Sequence, residues 1–114
     1  IKQVLAVINK IPSIVEQCDV SYEEAWSRET VSFTAELVDY VEKSAEEWGY
    51  SHRRIYSGPG HDAQFAIDLV PTTMIFVPSA GGHSHCEIEY TPVENCLKGA
   101  NVLLNTILHI DKEH

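Results

Sequence analysis

Cysteine is scarce and offers no bonding pattern: Cys18, Cys86 and Cys96 form no CxxC pair and no even set. That argues against a disulfide framework and makes a reducing cytoplasm the expected location. Basic charge is equally thin. Eight Lys and Arg stand against 17 Asp and Glu, a net charge of −9 with Arg53-Arg54 as the basic cluster, so neither nucleic acid nor an anionic membrane is expected as the main partner. No apolar run approaches the roughly 18 residues that a membrane helix needs, no signal peptide is recognisable, and no Gly-x-Ser-x-Gly elbow occurs, which sets serine catalysis aside. What is present is ordinary for a globular chain: 44% hydrophobic and 22% charged residues exclude a disordered tail, a collagen-like repeat and a coiled coil. With 114 residues the chain makes one domain at most or a piece of one, and a fold of this mass buries about two-thirds of its surface, enough for a modest core.

Ile1, Val4, Leu5, Ile8 and Ile11 recur at helical spacing until Pro12 stops them, and the helix starts with neither Met nor cap, as if cut from something longer. From Ser13 to Arg28, Val20, Tyr22 and Trp26 alternate with polar and acidic residues, which predicts a half-exposed antiparallel edge strand. A second helix follows Phe33-Thr34, with Thr34 as N-cap, a buried stripe of Leu37, Val38, Val41, Ala45 and Trp48, and Gly49 as its stop. The change near residues 28–32 marks a boundary between two structural parts, 1–30 and 31–114. Beyond Gly49 the pattern is α/β: a strand 52–56, a Gly-rich turn, a helix near His61 to Leu69 and a strand 73–77 predict a right-handed parallel βαβ unit. Thr91-Pro92-Val93-Glu94 opens a final helix whose expected buried stripe is Val93, Cys96, Leu97, Ala100, Leu104, Ile107 and Leu108.

Two loops follow the two expected strands, Ser57-Gly58-Pro59-Gly60-His61-Asp62 and Pro78-Ser79-Ala80-Gly81-Gly82-His83-Ser84-His85. Ligands of open parallel sheets sit beyond the carboxyl ends of the strands, so His61 and His85 are expected to converge there. The turn through Gly60 lets backbone approach a ligand, and a helix opening near His61 would offer N–H groups to a carboxylate or oxyanion; the plainer reading is a strand-to-helix turn in which Asp62 offsets the dipole. His85 is a candidate metal ligand, with His83 and Cys86 nearby, yet the spacing matches no closed zinc motif. Glu87 and Glu89 are candidate orienters of an imidazole or members of a solvated acidic loop.

Taken in order, Ser57-Gly58-Pro59-Gly60-His61-Asp62-Ala63-Gln64, Pro71 to Ser79, Gly81-Gly82-His83-Ser84-His85 with Glu89-Tyr90-Thr91, and Gly99-Ala100-Asn101-Val102-Leu103-Leu104 resemble the C-terminal part of the dinuclear-metal amidohydrolases of the aminoacylase/carboxypeptidase-type metallopeptidase family. The nearest branch is the N-carbamoyl-L-amino acid hydrolases, with β-ureidopropionase and allantoate amidohydrolase beside it. The resemblance implies a zinc-peptidase-like α/β catalytic domain over residues 31–114, preceded over 1–30 by a helix and strand from a lid and dimerisation domain. It implies His85 as a metal ligand, Gly60 and His61 as substrate contacts, His61 as the catalytic group that polarises the scissile carbonyl, and Asp62 and Glu89 in support. His61 and His85 stand 24 residues apart, as in the family. Two divalent ions (zinc, manganese, cobalt or nickel) are implied for a full-length parent, in which they activate water against an N-carbamoyl or ureido substrate. The remaining ligands, the general-base Glu and a substrate-binding Arg belong to segments outside this chain, so the chain alone is expected to bind no metal stably and to be inactive. Pro59 stands where the family commonly has Ala, and His83, Cys86, Glu87 and Ile88 depart from its usual run around the ligand.

Two other readings compete: a non-catalytic module that binds a small anion at the Gly60-His61 turn or a partner, and a self-contained metal protein using His83, His85 and Cys86. Severed lid elements would leave apolar surface, for which a homodimer is the expected cover.

Overall fold

A computed structural model describes residues 2–11 and 18–113, in two compact units, Ile1–Thr30 and Val31–His114. In the first, helix α1 (Lys2–Ile8) is shorter than the expected Ile1-to-Ile11 helix. Its end is tightened by the Lys10 N–H reaching back to the Val7 carbonyl at 3.0 Å. The expected edge strand does not form over its described part, 18–28; residues 12–17 lie outside the described residues. Tyr22 instead donates its hydroxyl to the Asn9 side chain. Alternation prepares a segment for pairing, but a strand exists only through a neighbouring backbone, and none is paired with it among the described residues.

The second unit is built on α2 (Ala35–Glu47) and α4 (Val93–Glu113), which pack on each other, with the single-turn helix α3 (Ala63–Ala66) and a 3₁₀ turn (Ala80–Gly82) between them. Thr34 occupies the N-cap of α2, but its hydroxyl does not cap the helix. It accepts the Thr72 N–H at 3.0 Å while the Thr34 N–H donates to the Thr72 carbonyl at 3.0 Å, a reciprocal clasp to the chain ahead of residues 73–77. Gly49 ends the helix as expected: at φ 67° it lets its own N–H reach Glu46 O at 2.8 Å and the Tyr50 N–H reach Ala45 O at 2.9 Å, the paired bonds of a Schellman motif.

No β-strand forms among the described residues, so the βαβ unit is absent from this structure. Residues 52–56 pair with no other backbone among the described residues. Side chains fasten this stretch to α2 instead: Arg54 Nη2 donates to Asp39 at 2.6 Å and to Glu42, and His52 Nε2 lies 3.6 Å from Glu42. Tyr56 is left 94% exposed. Residues 73–75 are half-buried beside the helices without pairing. Parallel ladders need two extended neighbours, and the periodicity of one segment cannot supply the other.

The helix pair meets through small and polar residues. Ser44 is fully buried, Thr106 Oγ1 bonds to Ser44 Oγ at 3.1 Å and to the Val102 carbonyl at 2.8 Å, and Ala45 and Val102 are the buried apolar residues among those described. One turn along, Asn105 Nδ2 donates to Glu47 at 2.8 Å and His109 Nε2 stands 2.8 Å from the same oxygen, while Asn101 Nδ2 reaches the Tyr50 hydroxyl at 3.1 Å. The modest core expected from chain mass is thus far smaller here. All seven residues of the expected α4 stripe are exposed, Leu97 by 62% and Leu104 by 59%, and Trp48 leaves its expected stripe to stack on Tyr50 with ring centroids 5.9 Å apart. Part of that α4 side instead borders an open groove of about 550 Å³ with Leu37, Val41, Ile75 and Val77. Hydrophobic spacing identifies an amphipathic face, not the element that covers it.

Candidate functional site

The first loop turns at Gly58-Pro59 and returns on itself through one side-chain contact. Ser57 Oγ lies 2.6 Å from His61 Nε2 and donates more weakly to the Pro59 carbonyl at 3.4 Å. Past the turn, the His61 and Asp62 carbonyls accept N–H groups from Gln64 and Phe65, both at 2.9 Å, and this starts α3. Asp62 sits at its N-cap, exposed and without a side-chain cap bond. Gly60 is exposed. The helix expected from His61 to Leu69 is cut to four residues. Pro71 biases Val70 away from helical backbone, and the chain tightens after Ala66 into turns, Leu69 N–H to Ala66 O at 2.9 Å. A single turn carries little macrodipole, so this helix start adds little electrostatic attraction for an anion.

The second loop needs its glycines. Gly81 and Gly82 hold φ of 66° and 71°, and a Cβ on Gly81 would stand 2.9 Å from the His83 ring. Ser79 Oγ donates to the His83 carbonyl at 2.6 Å, and the Ala80 N–H to the Tyr90 carbonyl at 2.7 Å, closing the loop at its base. Within it His85 is the one non-glycine residue of positive φ among those described, at 57°. Glu89 holds that conformation: its carboxylate takes the His85 N–H at 2.6 Å, while its own N–H donates to the Cys86 carbonyl at 3.0 Å.

The two loops meet. The His61 and His85 ring centroids are 6.1 Å apart with planes inclined by 53°, and the half-buried His61 ring also meets the Phe76 ring edge-on at 5.4 Å. Gly60 and Asp62 flank His61 in the chain, and Glu89 belongs to the site through the His85 backbone. His83 and Cys86 do not join them as ligands: among the described residues no group of three or more His, Cys, Asp or Glu side chains is arranged to hold a metal ion. The described residues thus give the reading of a self-contained metal protein no ligand set to rest on. Ser57 and Phe76 are the two site residues that sequence reasoning passed over. A serine four residues before a histidine across a Gly-Pro-Gly turn was the available signal for the first; only the tertiary structure brings in the second.

Residues 1–109 match the model of Peptidase family M20/M25/M40. The chain is 42% identical over 99 residues to the N-carbamoyl-L-amino-acid amidohydrolase of Rhizobium meliloti, covering 85% of this chain and 24% of that protein. It is 33% identical over 90 residues to the enzyme of the same name from Paenarthrobacter aurescens, covering 79% and 22%. Against the allantoate amidohydrolase of Escherichia coli it is 34% identical over 97 residues, covering 83% and 24%. It thus spans about a quarter of the length of these relatives. A match that runs through both units and both histidine loops settles the relationship: the chain belongs to Peptidase family M20/M25/M40.

Proposed function

We propose that this chain is the C-terminal part of a metal-dependent amidohydrolase that cleaves the carbamoyl or ureido C–N bond of N-carbamoyl amino acids or related ureido acids. The observation that carries the reading is the approach of His61 and His85 to 6.1 Å between ring centroids, from two loops 24 residues apart in the chain. In this reading His61 is the catalytic group, donating a hydrogen bond to the scissile carbonyl oxygen as negative charge develops there. Gly60 offers close backbone approach to the substrate. His85 is one ligand of a metal site whose other ligands come from outside these residues, and Glu89 and Asp62 support the two histidines. Hydrolysis adds one water and releases the amino acid, ammonia and carbon dioxide.

Residues 1–30 are read as the remnant of a lid and dimerisation domain and 31–114 as part of the catalytic α/β domain, with 52–56 and 73–77 pairing as strands when the rest of the sheet is present. A homodimer and a cytoplasmic location belong to the same reading; no helix among the described residues is long and apolar enough to cross a membrane.

The test is ammonia release from N-carbamoyl amino acids and from allantoate by the full-length product of the reading frame that encodes this chain. We expect turnover of at least one of these, loss of 10²-fold or more in kcat for His61→Ala, a change of the size that removing a transition-state donor brings, and no turnover by the 114-residue chain alone. Full-length protein inert toward every ureido acid, or His61→Ala at full activity, overturns the reading.

A further inference from the structure

We propose that Ser57 is a positioning residue for His61, selecting the imidazole tautomer that carries its proton on Nδ1; this rests on the reading of His61 as the carbonyl-polarising group. A neutral imidazole has one N–H donor and one bare nitrogen, and the hydrogen bond made by one nitrogen decides the state of the other. Ser57 Oγ stands 2.6 Å from Nε2, a close contact, against 3.4 Å for its alternative partner, the Pro59 carbonyl. The hydroxyl has a single proton. Given to Nε2, it makes that nitrogen the acceptor and places the ring proton on Nδ1, which has no hydrogen-bond partner among the described residues. Given to Pro59, it would leave Nε2 as the donor and Nδ1 bare, a ring with nothing to offer a carbonyl oxygen from its free side. The shorter contact favours the first arrangement. Phe76, edge-on to the same ring at 5.4 Å, restrains the ring plane, so Ser57 and Phe76 together fix both orientation and proton position.

Ser57 is exposed in a turn, so its replacement removes no core packing. The first test needs no activity: long-range ¹H–¹⁵N spectra of the full-length protein with ¹⁵N-labelled histidine, recorded where the ring is neutral, report the tautomer of His61. We expect the Nδ1–H pattern in the parent protein, a shift toward the Nε2–H pattern in Ser57→Ala, and recovery in Ser57→Thr. The second test uses the same protein. Ser57→Ala should lower kcat about tenfold, the rate equivalent of one net hydrogen bond, with little change in KM and recovery by Ser57→Thr. An unchanged imidazole spectrum in Ser57→Ala overturns the inference, as does unchanged kcat in Ser57→Ala when His61→Ala loses activity. Full activity in His61→Ala is a different result: it removes the function assigned to His61, and with it any role for Ser57 in the reaction.

Discussion

At the scale of single residues, His85 holds a left-handed backbone at φ 57°, which costs a side chain with a Cβ about 1–2 kcal/mol. The Glu89 carboxylate 2.6 Å from its N–H offsets that cost. Glu89→Ala should therefore release His85 before it unfolds anything else, seen as faster amide exchange at His85 with exchange in α4 unchanged. Glu47 answers differently. Hydrogen bonds from His109 and Asn105 hold its carboxyl below the ordinary value of 4.5. Its contribution to stability is thus complete above about pH 4.5 and is lost as pH falls through the depressed value. Thermal melts between about pH 6 and about pH 3 should show a steeper acid loss in the parent chain than in Glu47→Gln. These contacts join residues 58 and 62 positions apart, which local pattern cannot reveal, whereas the link between Ser57 and His61 spans one turn and was open to reading.

Elements were legible where their signals are local. The stop of α2 at Gly49 and the opening of α4 after Pro92 follow from chain chemistry, because caps and proline act within a few residues. The strands were not legible as paired structure, since pairing needs a second backbone. Nor was the packing side of α4, where the contact runs through Gly99, Val102 and Thr106 rather than through the apolar stripe. A Cβ on Gly99 would lie 2.5 Å from Val77 Cγ1, and Val77 is β-branched and stiff at χ1. Gly99→Ala should therefore cost about 1 kcal/mol despite its better helix propensity, with overpacking the larger effect. Pairing it with Val77→Ala should restore stability in denaturant melts, and failure to do so would place the clash elsewhere.

For the whole molecule, the decisive feature is apolar surface without cover. Leu97, Leu103, Leu104 and Ile107 lie exposed on α4, while Ala45 and Val102 are the buried apolar residues among those described. A chain spanning about a quarter of its relatives' length leaves such a face bare when the elements that pack on it lie outside these residues. The isolated chain should bind an apolar dye strongly and self-associate at micromolar concentration, as read by fluorescence and sedimentation. Supplying the remaining segment of the full-length protein should suppress both. Weak dye binding by a stable monomer would mean that the helices repack to cover the stripe.

The sequence by itself determined the family, the stop of α2 at Gly49, the opening of α4 after Pro92, and the two loops that carry His61 and His85, because capping and motif order are written over short distances. Only the tertiary structure decided that α2 and α4 meet through Ser44 and Thr106, that residues 52–56 are tied to α2 by Arg54, that His61 is clasped by Ser57 and faces Phe76, and that no strand pairs among the described residues. Each of those depends on which surface is available to pack against. That is a property of the assembled chain, and a segment's own residues can state only what they would bury, not what will cover it.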